Sequence, residues 1–106
     1  GLDHEQFWCI YLRRNNTVIK ESFISKGDIS GTVVNIKAIL SDAILLKASA
    51  IVLSHNHPSG EMRPSTQDVQ ITTQIKQAAT LIDVNLIDHI IVGNKEYYSF
   101  ADNGIL

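Results

Sequence analysis

The sequence has only one cysteine, Cys9, so no disulfide bond can form within the chain. This cysteine usage suits a reducing compartment. No apolar run approaches the roughly 20 residues that a membrane-spanning helix needs, and no signal-peptide pattern precedes the first segment. These absences argue against a disulfide-stapled scaffold and a membrane protein, and we expect a cytoplasmic location.

The chain also lacks an excess of charge of one sign. Nine Lys and Arg residues stand against eleven Asp and Glu residues, for a net charge of −2. This balance gives no support to nucleic-acid binding, for which only a local basic patch would remain as a basis. With 106 residues, 44% of them hydrophobic and 19% charged, and no internal repeat or low-complexity stretch, the composition predicts one folded domain over residues 1–106.

Hydrophobic periodicity predicts seven elements in the order ββαβαββ. The predicted strands are Gln6 to Leu12, Thr17 to Ser25, Ala50 to Ser54, Val84 to Val92 and Glu96 to Phe100. One helix is predicted over Ile36 to Ala48, with Asn35 as its N-cap and an apolar stripe of Ile36, Ile39, Leu40, Ala43 and Ile44. Another is predicted from Ser65, with an inner stripe of Ile71, Ile75, Ala78 and Ile82. This alternation predicts an α/β fold in which helices flank a mixed sheet, with one helix on each side.

The most informative segment follows the third predicted strand and begins His55-Asn56-His57. Two histidines at positions i and i+2 of an extended backbone project to the same side, so both rings can reach one metal ion at about 2.0 to 2.1 Å. The carboxyl end of a strand is also where α/β folds usually place their sites. The pair therefore predicts half of a metal centre.

Asp68 is the predicted third ligand, since it lies one turn inside the second helix and the Pro58 to Pro64 loop can carry that helix back over the strand end. Two imidazoles and one carboxylate favour one zinc ion per chain over magnesium or calcium, and they leave a fourth position for a water. Zinc would lower the pKa of that water to about 7. Ser65-x-x-Asp68 is also a capping-box pattern, and we expect capping and ligation to compete for Asp68.

A hydrolytic site needs a base, and Glu21 is the predicted one. The alternation of Val18 to Ser25 places Glu21 on the same face as Ile19 and Phe23, so its carboxylate is expected to point inward. A strand-edge or bulged position would instead let Glu21 face solvent. Ser65 could donate a hydrogen bond to the oxyanion that forms when water attacks a carbonyl.

Glu21 followed by His55-x-His57-x7-Ser65-x2-Asp68 resembles the JAMM (MPN-plus) metalloprotease motif, and the spacing matches at every position. The similarity implies a cytidine-deaminase-like α/β fold, zinc bound by the two histidines and Asp68, Glu21 as general acid and base, and Ser65 beside the tetrahedral intermediate. It implies hydrolysis of a peptide, isopeptide or other amide bond in a peptide or protein substrate.

Flanking segments are similar to the RadC family in particular: Phe23 to Thr32, His55 to Gly60 and Asp88 to Gly93. The likeness covers nearly the whole chain, although Ile36-Lys37 stands where many relatives have Pro-Arg. RadC proteins carry a DNA-repair name. The alternative function is therefore a repair or mobile-element domain that acts on or near nucleic acid. Its zinc would then be structural or would be used in the cleavage of a phosphodiester.

Overall fold

A computed structural model describes residues 4–27 and 34–106 of the protein. The strands are β1 (Glu5–Leu12), β2 (Val18–Gly27), β3 (Ala50–Asn56), β4 (Asn85–Val92) and β5 (Tyr97–Ser99). The helices are α1 (Ile36–Leu45) and α2 (Thr66–Leu81). The predicted order ββαβαββ is confirmed, and part of the RadC-like segment Phe23 to Thr32 lies outside the described residues.

The strands form one mixed sheet in the order β2-β1-β3-β4-β5. β1 pairs antiparallel with both β2 and β3, β3 pairs parallel with β4, and β5 closes the other edge antiparallel to β4. The predicted mixed sheet is thus confirmed. Its central strand β3 carries His55 at the carboxyl end, in register with Phe7 of β1 and Ile91 of β4.

Both helices pack on the same face of this sheet. The hydroxyl of Tyr11 donates to the carbonyl of Ile39 in α1, and Thr72 of α2 contacts His89 of β4, while Tyr11 and His89 both belong to the buried face. The expectation of one helix on each side is therefore wrong. The reason is that β2-α1-β3 and β3-α2-β4 both advance in the same direction along the sheet, and right-handed crossovers then place both helices on one side.

The core lies between the sheet and the two helices. Its buried members include Phe7, Cys9, Tyr11, Ile39, Ala43, Ile51, Leu53, Ile75, Ala79 and Leu86. From the predicted helical stripes, Ile39, Ala43 and Ile75 are buried, but Ile44 is 59% exposed and Ala79 is buried where Ala78 was expected. On the opposite face of the sheet, Trp8 and Phe23 pack edge to face and stay partly exposed.

Asn35 caps α1 as predicted, because its side-chain oxygen accepts a hydrogen bond from the Ala38 N–H at 3.0 Å. Within residues 4–27 and 34–106, neither helix is long and apolar enough to cross a lipid bilayer.

Candidate metal centre

The two histidines of the motif converge at the end of β3. His55 is the next-to-last residue of the strand and is 4% exposed, and His57 follows the strand at the start of the loop to α2. Their Nε2 atoms are 2.9 Å apart. The predicted pairing of these two rings is therefore present, with both Nε2 atoms directed at the same point.

Asp68, in the first turn of α2, brings a carboxylate to that point. Its Oδ2 lies 2.9 Å from His57 Nε2 and its Oδ1 lies 3.2 Å from His55 Nε2. The same Oδ2 accepts a hydrogen bond from the Ser65 backbone N–H at 2.8 Å, which completes a capping box. Asp68 thus caps α2 and lies beside both histidines at the same time, which is possible because a carboxylate has about four lone-pair positions. Its ligation of a metal stays a prediction.

These three groups fit a tetrahedral zinc ion. Two ligand atoms at about 2.0 to 2.1 Å from a tetrahedral zinc lie roughly 3.3 Å apart. The two Nε2 atoms are 2.9 Å apart, His57 Nε2 lies 2.9 Å from Asp68 Oδ2, and His55 Nε2 lies 3.2 Å from Asp68 Oδ1. Each separation is within a few tenths of an ångström of the tetrahedral value, with a different carboxylate oxygen facing each histidine. The donor set of two imidazoles and one carboxylate also suits zinc.

The pKa values of His57 and Asp68 depend on each other. The hydrogen bond with Asp68 raises the pKa of His57 above its usual value despite partial burial. Burial raises the pKa of Asp68, but hydrogen bonds from His55 and His57 outweigh this effect and hold that pKa well below its ordinary range. Asp68 is therefore an anion, the form in which a carboxylate binds a metal ion.

Glu5 is a second carboxylate at this centre, and the sequence analysis missed it. One of its oxygens lies 4.0 Å from His57 Nε2, and Glu5, His55 and His57 form a group of ligand atoms within 4.8 Å of one another that could hold a metal ion. A signal for it existed. Phe7 and Cys9 alternate on the buried face of β1, and the same alternation places Glu5 on that face, two residues beyond the Phe7 that pairs with His55.

Glu21 lies elsewhere. It pairs with Ile10 across the β1/β2 ladder, and Ile10 is three residues from Phe7, the partner of His55. Since side chains alternate along a strand, Glu21 and His55 project from opposite faces of the sheet. Glu21 is exposed, whereas its neighbour Ser22 is buried. The expected inward orientation of Glu21 is wrong, and its role as base stays a prediction without a contact to support it among the described residues.

Ser65 is the N-cap of α2 and lies at the rim of the same cleft. Its Oγ accepts a hydrogen bond from the Asp68 backbone N–H at 3.0 Å, which leaves the hydroxyl hydrogen available for another partner. The predicted cap is confirmed. The hydrogen bond to an oxyanion remains a prediction.

A third histidine, His89 of β4, contacts His55 from within the core. It is fully buried, stacks on Phe100 and contacts the Phe7 ring edge to face. Its Nε2 lies 2.7 Å from His55 Nδ1, and its Nδ1 lies 2.5 Å from the hydroxyl of Thr72. Burial lowers the pKa of His89 to about 3, so this ring is neutral at physiological pH.

The site opens into a cleft of about 840 Å³ between the β3–α2 loop, the first turns of α2 and the start of β1. Its described lining includes three acidic residues, Glu5, Glu61 and Asp68, but only one Lys or Arg residue, Arg63.

Comparison with known proteins agrees with this architecture. Residues 1–105 match the model of a family described as RadC-like JAB domain. The chain is 44% identical over 104 residues to a UPF0758 protein of Flavobacterium johnsoniae, covering 98% of this chain and 45% of that protein. It is 42% identical over 106 residues to a UPF0758 protein of Porphyromonas gingivalis, covering 99% of this chain and 47% of that one.

A third relative, the UPF0758 protein YfjY of Escherichia coli, is 41% identical over 106 residues, which cover all of this chain and 66% of that protein. The chain thus spans about half the length of the first two relatives, at 45% and 47%. The names of these relatives state no activity.

Proposed function

This chain belongs to the family of RadC-like JAB domains, and from that premise we propose that it is a zinc-dependent hydrolase of peptide, isopeptide or other amide bonds. The observation that carries the proposal is the convergence of His55, His57 and Asp68 within 3.2 Å of one another beside the carboxylate of Glu5. Three protein ligands leave a tetrahedral ion one open position, the arrangement of catalytic rather than structural zinc.

Zinc held by these residues would act as a Lewis acid and activate a water molecule. The protein's part is to move protons and stabilise charge. A carboxylate oxygen of Glu5 lies 4.0 Å from His57 Nε2, and this carboxylate accepts the proton that the attacking water loses. The same group then returns that proton to the departing amine nitrogen, as a general base and acid does in turn.

Ser65 serves the carbonyl oxygen of the substrate. Its Oγ accepts from the Asp68 N–H, so its own hydrogen can be donated to the oxygen that becomes negative in the transition state. Because the capping box with Asp68 holds Ser65 in place, its hydroxyl is positioned before the substrate binds.

The charge of the cleft favours an amide over a phosphodiester. Glu5, Glu61 and Asp68 carry three negative charges among the described lining residues, against one positive charge on Arg63. A bound zinc ion would add two positive charges and bring this lining close to neutral, so it offers no excess positive charge to a polyanion. We therefore infer that a neutral amide bond suits this cleft better than a phosphodiester.

The test is metal analysis of the purified protein followed by parallel assays on the zinc-loaded sample. Peptide and Lys-linked isopeptide libraries form one arm, and single-stranded and double-stranded DNA form the other. We expect about one zinc per chain, amide cleavage that chelators abolish, and neither zinc nor cleavage in His57→Ala. Zinc-dependent cleavage of DNA, or zinc that stays in His57→Ala, would contradict the proposal.

A further inference from the structure

A chain of hydrogen bonds, which we call the relay, runs behind the proposed zinc ligands from His55 through His89 and Thr72 to the backbone of Asp68. His55 Nδ1 lies 2.7 Å from His89 Nε2, and His89 Nδ1 lies 2.5 Å from Thr72 Oγ1. Thr72 Oγ1 in turn lies 2.6 Å from the carbonyl oxygen of Asp68, one turn back in α2. The chain therefore begins at one ligand and ends on the backbone of another.

The direction of these hydrogen bonds decides whether His55 can bind a metal. A neutral imidazole has one N–H and one lone pair, so His55 can offer Nε2 to an ion only when Nδ1 carries the proton. His55 Nδ1–H must then donate to His89 Nε2, and His89 must carry its own proton on Nδ1. In the opposite arrangement His89 donates to His55, and Nε2 of His55 is protonated and closed to metal.

Thr72 selects between these two arrangements. Its hydroxyl has one hydrogen, and the carbonyl of Asp68 can only accept. When Thr72 donates to that carbonyl, as threonines in helices commonly do, its lone pairs are left for His89 Nδ1–H. A donor at His89 Nδ1 leaves His89 Nε2 as an acceptor, and this in turn requires the proton of His55 to be on Nδ1.

We propose that Thr72 and His89 are positioning residues that hold the proton of His55 on Nδ1, so that Nε2 presents a lone pair to the metal. This inference rests on the proposed metal site and adds to it a pair of residues that never touch the ion. It concerns which nitrogen of a neutral ring carries the proton.

The second histidine needs no such relay. His57 Nδ1 lies 2.7 Å from the backbone carbonyl oxygen of Glu61, which can only accept a hydrogen bond. The proton of His57 is therefore kept on Nδ1 directly. His55 differs because its neighbour is an imidazole that can either donate or accept, and only the hydroxyl behind that imidazole removes the ambiguity.

The burial of the relay makes the arrangement costly to break. His89 is fully buried between Phe100 and the edge of Phe7, and Thr72 is 3% exposed. A buried donor without an acceptor is energetically costly, so we expect the hydrogen bonds of this chain to change together.

The first test measures zinc affinity by competition with a chromophoric chelator in Thr72→Val, Thr72→Ser and the matched control Thr73→Val. Thr73 is the adjacent α2 residue, and its exposed hydroxyl donates to the Val69 carbonyl at 3.0 Å without meeting a histidine. Outer-sphere partners of metal ligands typically contribute about 10- to 100-fold to affinity. We expect a loss of that size in Thr72→Val, recovery to near wild-type affinity in Thr72→Ser, and no change in Thr73→Val.

The second test needs no variant to fold. Two-bond ¹⁵N–¹H correlations of the histidine rings in the zinc-loaded wild-type protein report which nitrogen carries each proton. We expect protons on Nδ1 of both His55 and His89. A proton on Nε2 of His89 would overturn the inference, and so would a folded Thr72→Val that binds zinc as tightly as Thr73→Val.

The outcomes separate this inference from the proposed function. A protein that binds zinc and shows the Thr72 effect, but cleaves no amide, contradicts the proposed hydrolase and leaves the relay intact. Cleavage with a Thr72→Val affinity equal to that of wild type contradicts the relay alone. Failure of the wild-type protein to bind zinc overturns both.

Discussion

Asp68 Oδ2 lies 2.9 Å from His57 Nε2 and at the same time accepts the Ser65 backbone N–H at 2.8 Å. One oxygen thus joins the first turn of α2 to the end of β3. Because the cap orients the carboxylate before any ion arrives, little side-chain freedom remains to be lost on binding. The N-terminal turn of α2 is therefore part of the candidate metal centre rather than an adjacent element.

Two substitutions separate the cap from the ligand. Asp68→Asn keeps an oxygen that can accept from Ser65 but removes the negative charge, so we expect zinc affinity to fall by more than the roughly 10- to 100-fold typical of outer partners. Ser65→Ala removes the cap oxygen and should lower the free energy of unfolding by about 1 kcal/mol. Calorimetric unfolding and chelator competition measure the two effects. Equal zinc affinity in Asp68→Asn and wild type would remove Asp68 from the ligands.

Glu5 and Glu21 form a matched pair for testing the general base. Glu5→Gln is expected to retain zinc and to lower kcat by about 10²- to 10⁴-fold, the usual contribution of a general base. Glu21→Gln, on the opposite face of the sheet, should leave kcat unchanged. Zinc content and turnover are measured on the same samples. Loss of zinc in Glu5→Gln would assign Glu5 to the ligands instead, and loss of turnover only in Glu21→Gln would restore the original assignment.

Cys9 predicts a fall in stability at alkaline pH. Burial raises the pKa of its thiol from 9.0 to about 12, so in this range the folded protein keeps a proton that the unfolded chain loses. The thiol's contribution to stability is complete below pH 9 and is lost as pH rises from 9 through 12, with a slope of at most about 1.4 kcal/mol per pH unit. Burial also raises the pKa of Tyr11, which adds to the fall above its ordinary range.

The measurement is urea unfolding of the metal-free protein between pH 8 and about 11, compared with Cys9→Ala. The free energy of unfolding of the variant should decline less steeply with pH than that of the wild type, whatever its value at neutral pH. Identical slopes in the two proteins would contradict the assignment. Folded wild-type protein should also resist thiol reagents, since Cys9 is fully buried.

Gly93 and Met62 are predicted to be energetically coupled. A Cβ at Gly93 would lie 2.6 Å from Met62 Cε and 2.9 Å from Met62 Sδ, so Gly93→Ala must displace that side chain. Met62 follows Glu61, whose carbonyl holds His57. Overpacking costs about 1–3 kcal/mol, and a flexible thioether should keep the cost near the lower end.

A double-mutant cycle with Met62→Ala checks this coupling. Gly93→Ala should be less destabilising in the Met62→Ala background by at least about 0.5 kcal/mol. Additive effects of the two substitutions would show that Met62 does not limit the space at Gly93.

Most of the fold followed from local pattern, because each element carries its own periodicity. The Ile36 to Ala48 prediction overran α1 by three residues: Leu46 caps the helix, and Lys47 adopts a positive φ of 52°. Local sequence patterns did not show on which side of the sheet each helix packs. It depended on the strand order β2-β1-β3-β4-β5, which decides the direction of both crossovers.

Glu21 shows why a strand pattern alone misassigns a face. Alternation states which residues share a face but not which face is covered, and the partly exposed Phe23 made the uncovered face look like the interior. The pairing of β1 with β3 settles the question, since it joins Phe7 to His55 and thereby brings Glu5 to the centre.

The spacing of His55, His57 and Asp68 can be read from the chain alone, because these groups lie on one strand end and on the helix that follows it. The carboxylate beside them and the residues behind His55 depend instead on how the strands pair in three dimensions. Glu5 and His89 reach the centre from distant parts of the chain, and no local periodicity records a neighbour that arrives through strand pairing.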